Sequence, residues 1–170
     1  FKIANNLRVD ENEDLTSSHQ IGQKTSNFFT ETSISPNKFI NLKYNGSFRN
    51  SFSEISSETL LSEFKFENFN TSFTYLNENN TSKNNSYILN ETSYNLDDSN
   101  QLMFSTRKNK KTDLTEFYKF IYQYKNDCLA ASIEYNKDYY NDRELKPEEN
   151  IFLKLSIIPF GQTTSPNLKN

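Results

Sequence analysis

Long hydrophobic runs are missing from this 170-residue sequence. No stretch of about 18 or more apolar residues occurs, which excludes a transmembrane helix. A basic surplus is missing too: 19 Lys and Arg stand against 22 Asp and Glu, for a net charge of -3. That balance lacks the positive footprint of a nucleic-acid-binding protein. With a single Cys, the chain has neither an internal disulfide framework nor a Cys-rich metal site. It opens on Phe1 without a signal-peptide pattern. Hydrophobic residues amount to only 34%, and the mean hydropathy is -0.86. Such values suggest solubility or partial disorder. Against that stand 15 Phe and 10 Tyr, since disordered chains are poor in aromatics.

What apolar content there is consists largely of strand-favouring residues, and it recurs with a period of two. From Cys128 to Tyr140, Leu129, Ala131, Ile133, Tyr135 and Tyr139 share one face with Lys137, while Ser132, Glu134, Asn136 and Asp138 take the other. Ile151, Leu153, Leu155 and Ile157 oppose Lys154 and Ser156. Tyr118, Phe120, Tyr122 and Tyr124 oppose Lys119, Gln123 and Lys125. Similar strands are expected at 40–49 and 69–75, with weaker ones at 28–34, 60–66, 86–96 and 102–108. A hairpin is expected around the acidic turn at 10–14, which brings the total to about ten strands. One apolar and one polar face per strand is the balance a transmembrane barrel needs, with lipid outside and a polar lumen.

Short connections are expected at 35–37, 67–68, 97–100 and 126–127, alternating with longer ones at 50–59, 77–85, 109–113 and 141–149. That alternation matches short periplasmic turns and longer extracellular loops. The clear charges on the expected lipid face, Lys108, Glu116 and Lys137, fall near the extracellular strand ends. There a Lys costs far less than the roughly 2–4 kcal/mol of the bilayer midplane. Tyr75 and Tyr139 near the top, with Tyr94 and Tyr124 near the bottom, suit two aromatic girdles. The fold class expected is therefore all-β: an antiparallel, up-and-down transmembrane β-barrel segment covering residues 1–161, followed by a polar periplasmic tail at 162–170.

From Asp127 to Gly161 the chain reads DCLAASIEYNKDYYNDRELKPEENIFLKLSIIPFG. A Cys opening a strand, a loop with Asp-Arg and Pro-Glu, and a last strand ending in Phe-Gly resemble the final hairpin of the lipopolysaccharide-assembly protein LptD family. The resemblance implies the C-terminal part of a larger barrel, in the bacterial outer membrane, that inserts lipopolysaccharide into the outer leaflet through a lateral gate. It implies as partners lipopolysaccharide, an LptE-like lipoprotein plug, an LptA-like periplasmic bridge acting through an N-terminal domain, and the barrel-assembly machinery. Cys128 would bridge to an N-terminal Cys in the oxidising periplasm, although known members carry two adjacent Cys where Asp127 and Cys128 stand here. The last strand, with Ile151, Leu153, Leu155, Ile157, Pro159 and Phe160, would form the lateral seam. Pro159 brings no N–H to a ladder, so pairing is expected to stop there.

Catalytic machinery is not expected, and no cofactor. There is no nucleophile–base pair, metal cluster or Gly-rich phosphate loop. His19 lies in a polar stretch and reads as a solvated residue. Asp142, Glu144, Glu148 and Glu149 offer calcium-type oxygen ligands, but Arg143 and Lys146 interrupt them and a solvated loop is expected. Arg107, Lys119, Lys125, Glu134, Asp138 and Lys154 are expected in the lumen, paired across strands or against a plug. Two rival readings remain: another outer-membrane barrel of porin or receptor type, and a soluble carbohydrate-binding β-sandwich.

Overall fold

The computed structural model describes residues 1–15, 20–49, 54–79, 84–139, 147–157, 161–164 and 168–169. Among them are twelve strands: β1 (Lys2–Ala4), β2 (Phe28–Asn37), β3 (Ile40–Phe48), β4 (Ile55–Lys65), β5 (Phe69–Asn79), β6 (Asn84–Asn95), β7 (Asn100–Asn109), β8 (Thr115–Lys125), β9 (Leu129–Asp138), β10 (Glu148–Ile157), β11 (Gly161–Thr164) and β12 (Leu168–Lys169). The fold is all-β, one antiparallel sheet whose hydrogen-bonded order follows the chain from β1 to β11, with β12 beside β10. The chain divides into two compact units, Phe1–Glu63 with Phe73–Ile88, and Phe64–Ser72 with Leu89–Asn170.

The hairpins are wound mainly by Asn and Asp, in a chain with only three Gly. Asn37 Oδ1 accepts the N–H groups of Phe39 and Ile40 at 2.8 and 3.0 Å. Asp97 Oδ1 does the same for Ser99 and Asn100, and Asn126 Oδ1 for Cys128 and Leu129. Asn109 repeats the device at the β7–β8 connection. A side-chain oxygen that mimics a backbone carbonyl closes the turn without a Gly. Asp113, in the β7–β8 connection, takes the left-handed backbone region at φ 54°, which Asp tolerates better than most residues.

Strand boundaries differ from expectation where sequences are polar. β4 starts at Ile55 rather than Leu60, and β5 and β6 extend into the expected 77–85 loop. Ladder hydrogen bonds involve the backbone alone, so Ser-, Asn- and Glu-rich ends still pair. The contrast in connection length narrows accordingly: four residues separate β5 from β6, and four separate β6 from β7. The acidic stretch at 10–14 is part of a larger arm between β1 and β2. Its legs are joined by Ser26 N–H to Asn6, Arg8 N–H to Lys24 and Asn12 N–H to Gly22 backbone bonds.

In the first unit, Phe28, Thr30, Thr32 and Ile34 of β2 stand opposite Phe48, Gly46, Tyr44 and Leu42 of β3. The other face carries Glu31 and Ser33 opposite Asn45 and Lys43. Gly46 is buried. A Cβ there would meet Tyr44 Oη at 2.8 Å and both Phe48 Cε2 and Thr30 Oγ1 at 3.0 Å.

In the second unit the register builds continuous rows across strands. Leu102, Tyr122, Ile133 and Leu153 form one row, and Phe104, Phe120, Tyr135 and Ile151 the next. Tyr124, Ala131 and Leu155 form a third. The reverse face of β8–β10 carries Lys119, Gln123, Ser132, Glu134, Asn136, Asn150 and Lys154.

Burial is inverted relative to a water-soluble protein. Among the described residues no apolar side chain is buried; Ser26, Asn27, Ser47, Ser56, Ser86, Glu134 and Asn150 are. Ile133 and Leu153 are each 51% exposed and Ile157 48%.

Candidate functional site

Glu134 lies midway along β9, on the polar face. Its direct cross-strand neighbours are Ile121 of β8 and Phe152 of β10. The ammonium groups that hold it come from the diagonals. Lys119 stands opposite Asn136, and Lys154 opposite Ser132, distances that long side chains span. Lys119 Nζ lies 2.7 Å from Oε1 and Lys154 Nζ 2.7 Å from Oε2. Asn136 Nδ2 donates to Oε1 at 2.9 Å. A buried carboxylate is tolerated only with such partners, because its desolvation costs several kcal/mol.

The first unit carries a looser version. Glu31 of β2 lies 3.5 Å from Lys2 of β1 and 3.1 Å from Lys43 of β3. Beside it opens a cleft of about 370 Å³ lined in part by Lys2, Phe29, Glu31, Asn45, Ser47 and Thr59.

The charges expected on the outward face are all ion-paired at one end of their strands. Lys137 and Glu149, register partners, meet at 2.5 Å, and Lys108 meets Asp113 at 2.7 Å. Glu116 sits at a β-bulge, where the register shifts past Arg107 and Lys108, and its carboxylate takes Arg107 Nε and Asn109 Nδ2. Tyr118 packs edge-on against Tyr139 at 5.9 Å in the same region. At the opposite end, Asn126 Nδ2 donates to the Tyr124 hydroxyl at 3.0 Å.

Cys128 is a free, exposed thiol in the turn before β9, rather than a residue of the strand itself. Its N–H is held by Asn126. Of the expected seam residues, Ile151, Leu153, Leu155 and Ile157 share one face of β10 and are 41–51% exposed. Pro159 and Phe160 lie outside the described residues, as do His19, Asp142, Arg143, Glu144 and Lys146. Glu148 and Glu149 separate onto opposite faces, Glu148 facing Asp138 across the ladder and Glu149 facing Lys137.

One edge of β10 pairs with β9 over all ten residues. The other edge is not vacant. The segment expected as a polar tail supplies β11, which sets Thr164, Thr163, Gln162 and Gly161 opposite Lys154, Leu155, Ser156 and Ile157. β12 then sets Leu168 and Lys169 opposite Ile151 and Asn150. Short, polar and carrying Pro166, this stretch shows no strand signature in the sequence, and the available edge of β10 decides its pairing.

The lysine–glutamate pairing was legible only as a list of inward charges. The signal that selects partners is a central Glu with Lys two positions off the direct register on each neighbouring strand, which needs the register itself. Among the described residues no group of three His, Cys, Asp or Glu could hold a metal. No protein-family model matches the sequence, and no curated protein matches it significantly.

Proposed function

We propose that the chain is a segment of a transmembrane β-barrel in a bacterial outer membrane. The inverted burial carries this reading. An Ile or Leu left in water forgoes about 1.5–3 kcal/mol of burial, and β8–β10 present row upon row of such side chains. A lipid phase removes that penalty, while the reverse face, with its Lys119–Glu134–Lys154 network, suits a wet lumen. Dimensions agree. The ten residue steps from Leu129 to Tyr139 span roughly 33 Å along a strand, or about 25 Å of height at a barrel's usual tilt. The paired charges Lys137–Glu149 and Lys108–Asp113 cluster at one strand end, where the cost of charge is smallest.

Within that reading, the role supported best is insertion of lipopolysaccharide into the outer leaflet, with β10 as one side of a lateral seam and Cys128 as an interdomain bridge. Support comes from the ordered resemblance of residues 127–161 to the final hairpin of the LptD family, and from the exposure of the Cys128 thiol at a turn. Folding in micelles or vesicles but not in buffer, with a heat-dependent gel shift, is the expected result for a barrel. Folding as a soluble monomer in buffer sinks it. For the narrower role, outer-membrane fractions of the full-length protein are compared on reducing and non-reducing gels. A mobility shift lost in Cys128→Ser is expected. Membrane residence without that shift removes the bridge and leaves the barrel.

A further inference from the structure

The two edges of β10 are dressed differently. On the β9 side the four apolar outward residues each meet an apolar or aromatic partner: Ile157 meets Leu129, Leu155 Ala131, Leu153 Ile133 and Ile151 Tyr135, and only Glu149, at the strand's start, meets a charge, Lys137. On the other side the register positions opposite Ile157, Leu155 and Ile151 are Gly161, Thr163 and Leu168. Only the last of these is apolar. The pairing is also broken. Continuing the β11 register would set residue 167 opposite Ile151, yet Leu168 stands there, one residue out of step. Pro166, in the intervening sequence, has no N–H to give. The C-terminal segment thus matches six of the ten β10 positions in backbone terms, and hardly any in side-chain chemistry.

We infer that the far edge of β10 is an acceptor for an antiparallel strand with apolar residues at alternate positions, and that β11 and β12 are place-holders which that strand displaces. This rests on the reading of β10 as a seam strand and adds what occupies the seam when its partner is away. Place-holders with four and two paired residues surrender few ladder bonds, whereas a full-length strand gains a whole ladder and continues the apolar rows. Holding the edge covered also keeps an apolar strand from pairing with other chains, the usual hazard of an open edge.

The test uses the full chain in micelles, with Cys128→Ser as background and Leu155→Cys with Thr163→Cys added. The probe is a labelled synthetic peptide of residues 129–138, the strand that already pairs with β10 in the required alternation. Oxidation is expected to join residues 155 and 163 within one molecule, seen by peptide mapping. The reduced chain is expected to take up the peptide about tenfold more tightly than the locked one, a difference worth one or two ladder bonds. Failure of the 155–163 disulfide, no uptake by the reduced chain, or equal uptake by both forms overturns the inference. Insertion of the same protein into lipid vesicles is scored separately, so place-holders that behave as described in a chain that ignores lipid would condemn the membrane reading alone.

Discussion

Two carboxylates on central strands are each flanked by lysines from both neighbours, one in each unit of the chain. Glu31 meets Lys2 and Lys43 at 3.5 and 3.1 Å, with its side chain 38% exposed. Glu134 meets Lys119 and Lys154 at 2.7 Å each, with its side chain 6% exposed. The sequence pattern is alike, and burial separates them. Exposed pairs contribute little, because water and salt screen the charges and ordering long side chains has an entropic cost. A buried carboxylate between two ammonium groups binds three strands, since removing it leaves two positive charges without their acceptor. Unit two is therefore organised around Glu134, whereas unit one depends on packing such as that over Gly46.

Glu134→Gln should break the comparison most sharply, lowering unfolding stability in micelles by about 2–4 kcal/mol. Glu31→Gln is its control and should leave the urea midpoint where it was. Equal effects would mean that burial does not distinguish the two. Next comes Gly46→Leu, which forces side-chain atoms among Tyr44, Phe48 and Thr30 and should cost about 1–3 kcal/mol. A neutral result would show that these rings swing away freely. Asn126→Ala and Asn37→Ala, turn residues of unit two and unit one, should each cost about 1 kcal/mol; a wide gap between them would extend the contrast to the turns. The smallest effect belongs to Asp97. The Ser99 N–H, joined by Asn100, holds its carboxyl below the ordinary 3.8. A depressed carboxylate adds stability above the unfolded value and loses it as pH falls through the folded one. The Ser99 amide resonance should therefore titrate below pH 3.8, and Asp97→Asn should abolish the step.

Much of the sheet was readable from alternation. Ile40 to Phe48, Tyr118 to Tyr124 and Leu129 to Asp138 are strands with the expected faces, because side-chain period follows directly from the pleat. Ile55 to Thr59 was read as loop, since its Ser and Glu residues carry no apolar stripe although its backbone pairs well. The arm from Asn5 to Asn27 was half seen: its acidic residues mark a turn, but the pairing of Asn6 with Ser26 joins positions too polar to announce themselves. Asn at positions 37, 109 and 126 closes turns through its side-chain oxygen, a role that alternation of apolar residues does not display. At the inward face, Lys119, Glu134 and Lys154 were named without being joined, because diagonal contacts depend on a register the sequence does not display.

Every strand but β12 lies beside its neighbours in the sequence. Such a meander asks for no distant ends to meet before a contact forms, so the entropy of closing long loops never has to be overcome in advance. Each hairpin supplies the template on which the next strand settles, and the order of settling can follow the order of the strands along the chain. For a chain whose apolar rows are outward and unshielded, that economy of search shortens the time during which unpaired strands are open to association with other chains.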